Sequence, residues 1–424
     1  MRRLFSVLLL AAFVAGVTTV AQASMMNIPD EYGITARGIG VGNAMTAYPG
    51  DIGAAYYNPA SLALIDTGVM SMSYIYADPS LKLTVNNTTY NDIKPLNRPL
   101  LIGYGLDLSK MLDTPIYLAQ ILSVDDLIST VKGGRTLVDF SDGASPAGNF
   151  FRYGHSNMMM LTSMGINILP WLYAGYGISL YLAANTVMNT TTDLAGNTSN
   201  SSIALSTSGK FSSLAGILLT PMNGKLTVGV TYREGHIFNL GPISADATST
   251  VGGSTLVNLP LNLYFKDGFV PTQWALGVGY KPLSYLRVLF DLTYYNWKWF
   301  NKLVSSGDAA KTGISFNLKD TYAPRIGIEA EPIENLYTRI GYQYLPSPLH
   351  GSTGTLNWVD STQQVWSIGV GYTMAPASPK YPVSIDAVYQ YHYLNKTSFP
   401  FSSGDIAQAK GDINAFGVTL TMSY

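Results

Sequence analysis

The chain has 424 residues, a formal net charge of −1, no cysteine, and only 12% charged residues, against roughly 25% in soluble domains. That balance excludes a broad basic face for nucleic acid, a disulfide framework and a thiolate metal site. With 29 tyrosines and 41 glycines, it fits instead a chain that exposes much of its surface to lipid.

At the N-terminus, Arg2 and Arg3 precede an apolar run from Leu4 to about Val17, followed by Ala21-Gln22-Ala23. A basic start, an apolar stretch and a small-x-small site make a cleavable secretory signal over residues 1–23, with Ser24 as the first mature residue. No cysteine follows the site, so a lipid anchor there is excluded. No later run reaches the roughly eighteen apolar residues of a membrane helix. Any membrane crossing must therefore use strands.

Residues 24–66 are rich in glycine and alanine and alternate little. Either they trail in the periplasm or they fold into a barrel as a plug. The expectation is a plug over 24–66, with Asn58-Pro59-Ala60 against the wall. Pro59 restricts Asn58 to extended geometry, from which its side chain can bond nearby backbone. Gly38-x-Gly40-x-Gly42 lacks the flanking strand and helix of a phosphate loop. It reads as a chain turning tightly in a crowded space, where a Cβ does not fit.

From residue 67 to 424 the pattern has period two. Trp366, Ile368, Val370 and Tyr372 oppose Ser367, Gly369, Gly371 and Thr373; Phe416, Val418, Leu420, Met422 and Tyr424 oppose Gly417, Thr419, Thr421 and Ser423. About fourteen such segments occur, among them ones entered near Gly68, Pro115, Phe151, Trp171, Phe269 and Asn414. Short turns, as at Leu169–Pro170, alternate with long polar connections, as at Thr191–Asn200, His236–Gly268 and Asn395–Ile413. The predicted fold is all-β, a transmembrane antiparallel barrel of about fourteen strands with both ends on the periplasmic side. Ser123–Thr130 and His236–Gly268 are expected to carry helices in the outer loops.

Three groups on the strands bear on function. Arg233, Arg287, Asp291, Arg325, Glu329, Arg339 and Asp386 all fall in the polar register. An arginine in lipid at mid-membrane costs about 2–4 kcal/mol, so these side chains face the lumen. Arg287, Arg325 and Arg339 are expected to meet Asp291, Glu329, Asp386 or the plug acids Asp30, Glu31 and Asp51. The arrangement is either a structural ion-pair network or a polar gate. Met159, Leu161, Tyr173, Tyr181, Tyr295 and Trp297 fall in the inward register, near the outer side. They form a candidate apolar ligand site, or else pack on the plug. On the third segment both faces are apolar: Tyr117, Ala119 and Ile121 oppose Ile116, Leu118 and Leu122. That suits a wall beside a hydrophobic path, or a strand packed on the plug.

Catalysis finds little support. In His155-Ser156-Asn157 neighbours on a strand point to opposite faces. None of His155, His236, His350 and His392 is spaced with another as metal ligands are. No enzyme, metal or cofactor is expected.

Ala36 to Ala44 (ARGIGVGNA) and Ala54 to Ala63 (AAYYNPASLA), with Asp291 to Trp297 (DLTYYNW) and the terminal Tyr424, resemble the FadL family of outer-membrane transporters for long-chain fatty acids and aromatic hydrocarbons. The resemblance implies a fourteen-stranded barrel plugged by an N-terminal hatch, in which Gly38, Gly40, Gly42, Asn43, Asn58, Pro59 and Ala60 form the motif. It also implies a distortion of the third strand that opens the wall sideways, with a break in pairing over Pro115–Leu122 at Pro115, Tyr117, Ala119 and Ile121. One departure stands out: fatty-acid members carry a basic residue just beyond the fifth strand, whereas Tyr181 to Ser199 holds no Lys or Arg. The expected function is passive uptake of small hydrophobic molecules across the bacterial outer membrane. The expected partners are that ligand, outer-membrane lipid and lipopolysaccharide, with no nucleic acid and a monomeric state. The alternatives are a general porin for polar solutes and an outer-membrane lipid hydrolase.

Overall fold

A computed structural model describes residues 27–93, 98–112, 115–124, 150, 152, 158–192, 198–251, 254–305, 318–351, 358–374, 381–401 and 403–424. The signal-peptide segment 1–23 and His155-Ser156-Asn157 lie outside them, as does most of Ser123–Thr130.

Among the described residues seventeen strands form one sheet, antiparallel except for a short parallel contact of Thr191 and Thr192 with Asp246 and Ala247. Fourteen of them close a barrel: β1 (Val69–Val85), β3 (Leu100–Asp107), β4 (Ile116–Val124), β5 (Met158–Leu169), β6 (Leu172–Thr192), β7 (Thr198–Leu219), β8 (Leu226–Arg233), β11 (Thr272–Leu283), β12 (Leu286–Asn296), β13 (Thr321–Ile333), β14 (Leu336–Leu345), β15 (Gln363–Met374), β16 (Val383–Pro400) and β17 (Ile406–Ser423). The seam runs between β1 and β17, from Val69↔Ser423 to Val85↔Ala407. Gly68 and Tyr424 finish it by exchanging two backbone hydrogen bonds.

Alternation builds this wall directly. On β15, Trp366, Ile368, Val370 and Tyr372 point out, while Val365 and Ser367 are buried within. Outward Trp171, Tyr285, Tyr372, Tyr381 and Tyr424 mark the short-turn end of the apolar band, and Trp274, Tyr322 and Trp366 its other end, the aromatic girdles of a membrane barrel.

Three strands stand outside the fourteen, and they correct the loop readings. β2 (Thr88–Ile93) folds back on β1. β9 (His236–Val251) and β10 (Ser254–Val270) form a long hairpin where helices were expected in His236–Gly268. Leu259, Leu261, Leu263 and Phe265 alternate with polar residues and Pro260 there, a strand period rather than a helical one. The outer helix lies instead at Lys298–Ser305. β16 and β17 run on to a connection of only 401–405, and β6 and β7 extend to Thr192 and Thr198. Above the membrane these strands no longer need an apolar outer face, so the hydrophobic alternation fades while pairing continues. Of the expected strand start near Phe151, the described residues are Phe150 and Arg152, which meet Val359 and Asp360, and β5 is described from Met158.

The N-terminal segment runs inside the lumen as short helices at Ile28–Glu31, Ala36–Gly40 and Ala54–Tyr57 and a 3-10 turn at Pro59–Leu64, nearly all of it buried. Pro29 opens the first helix, and the Thr35 hydroxyl caps the second by accepting from Gly38 N. Asn58 is extended before Pro59, and its Oδ1 accepts from Ala60 N.

Candidate functional site

The hatch is held by a wall made to receive backbone. Gly165 and Gly175 stand opposite each other on β5 and β6, and Gly175 opposite Gly216 on β7. On the far side Gly327 of β13 faces Gly341 of β14. A Cβ on Gly165 would lie 2.6 Å from the Pro59 carbonyl oxygen, and one on Gly175 would strike Pro59 and Ala60 N. One on Gly341 would strike Gly42 N. The glycines thus form a belt into which the hatch chain sinks. Gly42 and Asn43 take positive φ there, 64° and 59°, whereas Gly38 and Gly40 belong to the short helix. Asn43 Nδ2 donates to the Tyr32 carbonyl and to Gln343 Oε1 of β14. Asn58 Nδ2 donates to the Thr46 carbonyl at 2.7 Å and the Ile217 carbonyl of β7 at 3.1 Å.

Arg233, Arg325, Arg339, Asp291, Glu329 and Asp386 are buried and Arg287 half-buried, all on the lumen side. They divide into two groups. Toward the periplasm, Arg339 reaches Glu329 at 2.7 Å and Asp386 at 2.6 Å, and Arg287 approaches Glu329 at 3.5 Å. The hatch residue Tyr48 donates its hydroxyl to Glu329. Farther out, Arg233 pairs with hatch Asp30 at 3.3 Å and lies over the Tyr56 ring, 3.5 Å from its centroid. Gln273 donates to Asp30 at 2.8 Å.

Arg325 departs from expectation. It is the direct cross-strand neighbour of Asp291, yet it donates to Thr293 Oγ1 and the Tyr295 hydroxyl. Asp291 instead accepts the hatch amide of Thr46 at 2.8 Å. Asp51 is taken up inside the hatch by Thr35 and Gly53 N rather than by a strand arginine.

All six candidate apolar residues face inward and are buried, but they do not form one site. Met159 and Tyr181 are cross-strand neighbours, with Leu161 next along β5. Tyr181 stacks on His236, centroids 3.9 Å apart, and accepts from Asn27 Nδ2. Tyr295 and Trp297 join Phe269 and Phe300 on another arc of the wall. Tyr173 belongs to neither group. It sits beside the Pro170-Trp171 turn at the periplasmic end, packed with Ala47, Ala60 and Leu218, so its assignment to the outer side was wrong. Between the two arcs, Asp30, Tyr57, Arg233, Gln273, Tyr295 and Arg325 border a cavity of about 20 Å³, room for about one water.

The sideways opening is absent where it was expected. β4 pairs with β3 from Leu100↔Val124 to Asp107↔Tyr117 and with β5 from Ile116↔Ile166 to Ser123↔Met159, with no shift of register. Tyr117, Ala119 and Ile121 are buried against the lumen contents, and Pro115 is exposed at the periplasmic turn. Tyr117 donates to the Thr67 carbonyl. The inner face of this strand is apolar because it packs on the hatch.

Two features were invisible in the sequence. Lys210 of β7 stands directly across from Tyr181. Arg152 and Asp360 form a buried pair at 2.9 Å, and Phe150 bridges Val359. This ties the segment before β5 to the one before β15, on the opposite side of the barrel. Burial pushes the Asp360 carboxyl above its usual range, against the pull of Arg152. Removing one partner of such a pair costs about 3–5 kcal/mol. Asp360→Ala is therefore expected to expose Arg152 to trypsin in intact cells, read by mass spectrometry. Cleavage after Arg152 no faster than in the parent would show that the pair holds nothing shut.

Solved structures share the architecture. A Pseudomonas aeruginosa FadL homologue superposes with a TM-score of 0.62 over 92% of this chain and 98% of its own, at 15% identity. The Pseudomonas putida toluene transporter TodX gives 0.53 over 93% and 99%, at 12% identity. Alkane uptake protein A of Marinobacter nauticus is 24% identical across 98% of this chain and 96% of that protein. A 47 kDa outer membrane protein of Pasteurella multocida is 23% identical across 99% of both. The family model described as outer membrane protein transport protein (OMPP1/FadL/TodX) matches residues 158–424, more than half of the sequence, so the chain belongs to that family of outer-membrane barrels.

Proposed function

We propose that the chain takes up neutral apolar molecules passively, with alkyl chains as the preferred class, and that the hatch is its gate. The observation that carries this is the apolar lining of the outer lumen. Met159, Leu161 and Tyr181 stand on one arc and Phe269, Tyr295, Trp297 and Phe300 on another, where barrel interiors are ordinarily polar. The full-length likeness to a protein named for alkane uptake supports the same class. A general porin needs a water-filled bore, and here the bore holds a buried hatch. No catalytic role is proposed.

A second reading has its own observation. Lys210, across from Tyr181, could receive a carboxylate, which would make the cargo a fatty acid. Uptake of labelled hexadecane, toluene and oleate by cells producing the protein separates the two. Hexadecane uptake is expected to rise over the empty vector, and Trp297→Ala to reduce its affinity about tenfold, the effect of roughly 1.4 kcal/mol. Oleate uptake that exceeds hexadecane uptake and disappears in Lys210→Met would favour the second reading.

A further inference from the structure

On the outer extension of the barrel, three lysines stand side by side on three adjacent strands. Lys82 of β1 lies directly opposite Lys410 of β17. Both point away from the lumen, since their chain neighbours Leu81, Leu83 and Ala409 are buried within. On the other flank of β17, β16 carries a bulge. Leu394 pairs with Gly411 and Thr397 with Ala409, so Asn395 and Lys396 together oppose Lys410. Strict alternation from the buried His392 and Leu394 would turn Lys396 into the lumen. The extra residue resets the alternation: Phe399 becomes a buried position, and Lys396 is exposed beside Lys410. Re-aiming a side chain is a common use of a bulge. Gln364 of β15 anchors it by donating to the Asn395 carboxamide oxygen at 3.3 Å, while Asn395 N donates to the Thr362 carbonyl.

Such a row works against the sheet that carries it, because like charges directly across strands are destabilising. Among the described residues none of the three lysines is in an ion pair. The carboxylates nearest by register are Asp412, one row toward the membrane, and Asp92, on β2 where it pairs beside Lys82. Asp412 accepts from Asn414, and the three ammonium groups outnumber these acids. Height narrows the choice of ligand. Lys410 lies about 35 Å above Tyr424, taking roughly 3.3 Å per residue and a strand tilt of about 40°, against an apolar band about 25 Å tall. The row therefore stands beyond the hydrocarbon, at the level of headgroups. Beneath it on β16 the outward Tyr389, Tyr391 and Tyr393 climb the interface. Tyr391 stacks with Trp366, and Tyr393 is 45% exposed across from Asp412. Rings with one apolar and one polar end suit the boundary between acyl chain and headgroup.

We propose that Lys82, Lys396 and Lys410 bind the phosphate groups of outer-leaflet lipopolysaccharide, whose acyl chains lie along the tyrosine column below. Phosphate oxygens accept charge-assisted hydrogen bonds from ammonium donors and relieve the repulsion within the row. A soluble phosphate would use the lysines but not the aromatic ledge that continues from them. Phosphatidylglycerol offers one phosphate, whereas three cations in a row match several on one molecule. A glycolipid held by all three spans the β1–β17 seam.

Native mass spectrometry of the full-length barrel in non-ionic detergent tests this. The probe is rough lipopolysaccharide, lipid A with a phosphorylated inner core. It is expected to bind at least tenfold more tightly than the same glycolipid stripped of phosphate by hydrofluoric acid, and than phosphatidylglycerol. Lys82→Gln, Lys396→Gln and Lys410→Gln together are expected to weaken it about tenfold. Lys225→Gln, Lys298→Gln and Lys319→Gln make the same change of charge at other exposed positions and are expected to leave binding at the parent value. Equal binding of the phosphate-free glycolipid or of phosphatidylglycerol, or equal loss in the two triple variants, overturns the proposal. Asp412→Asn keeps it open to refutation should the first triple variant fail to assemble. Removing that carboxylate is expected to tighten binding about threefold, and unchanged binding counts against the site.

Discussion

Gly341→Val should turn a closed barrel into a leaky one. Any side chain at this position points into the Gly42 amide and the Val41 carbonyl carbon, the latter 2.5 Å from the would-be Cβ. Both are backbone, so no rotamer change relieves the clash. Overpacking of this kind costs typically 1–3 kcal/mol. The wall is fixed by continuous ladders on both sides, β13 with β14 and β14 with β15, so the hatch moves instead. The expected signs are higher conductance in planar bilayers, sensitivity of whole cells to vancomycin, and thermolysin cleavage within 27–66. Gly209→Ala is the control. Its Cβ would meet the ends of Leu180 and Leu182 at 3.1 and 3.6 Å and the Tyr181 carbonyl oxygen at an ordinary 3.9 Å. Parental conductance from an assembled Gly341→Val barrel would mean that the belt does not seat the hatch.

Arg339→Met should produce the largest loss of stability. This arginine is buried and bridges Glu329 and Asp386, two carboxylates on different strands. Without it both acids remain in the interior, and Glu329 keeps the nearby charge of hatch Arg37, the more distant Arg287 and the Tyr48 hydroxyl, none of which bridges it to Asp386. Breaking a buried pair typically costs 3–5 kcal/mol. Arg339→Lys retains the charge but not the fork that spans two acids, so it should fall between. The measure is the temperature at which the folded, fast-migrating band is lost on electrophoresis. A midpoint for Arg339→Met within a degree or two of the parent would show that the network contributes nothing to stability.

What could be read in advance follows from which contacts are local. The facing of Arg339, Asp386, Met159 and Trp297 was legible because a strand alternates strictly and lipid rejects charge. The height of a residue along the barrel was not, and Tyr173 was placed at the wrong end although Pro170 and Trp171 precede it directly. Pairing across strands could be guessed, but not competition from the hatch: Asp291 neighbours Arg325 and still bonds Thr46. On β4 the two apolar faces were ambiguous, since a wall beside a path and a wall beside a plug give the same pattern. The Arg152–Asp360 pair joins residues far apart in sequence through the outer loops, and no periodicity reports such a contact.

The seam between β1 and β17 has a consequence for how the molecule is made. Its two edges lie at opposite ends of the barrel-forming chain, so their meeting carries the heaviest loop-closure cost of any pairing in the wall. The hatch is joined directly to one of those edges, through Ile65–Gly68, and it touches both sides of the ring: Ala36 N donates to Thr419 of β17, while Ser163 of β5 donates to the Ala55 carbonyl. A sheet curling shut thus has its own filling tethered beside the gap, in contact with one closing edge at β17 and with the wall farther round at β5. The hatch is therefore expected to serve as a mandrel in biogenesis, so that a chain lacking 27–66 closes its barrel more slowly than the parent.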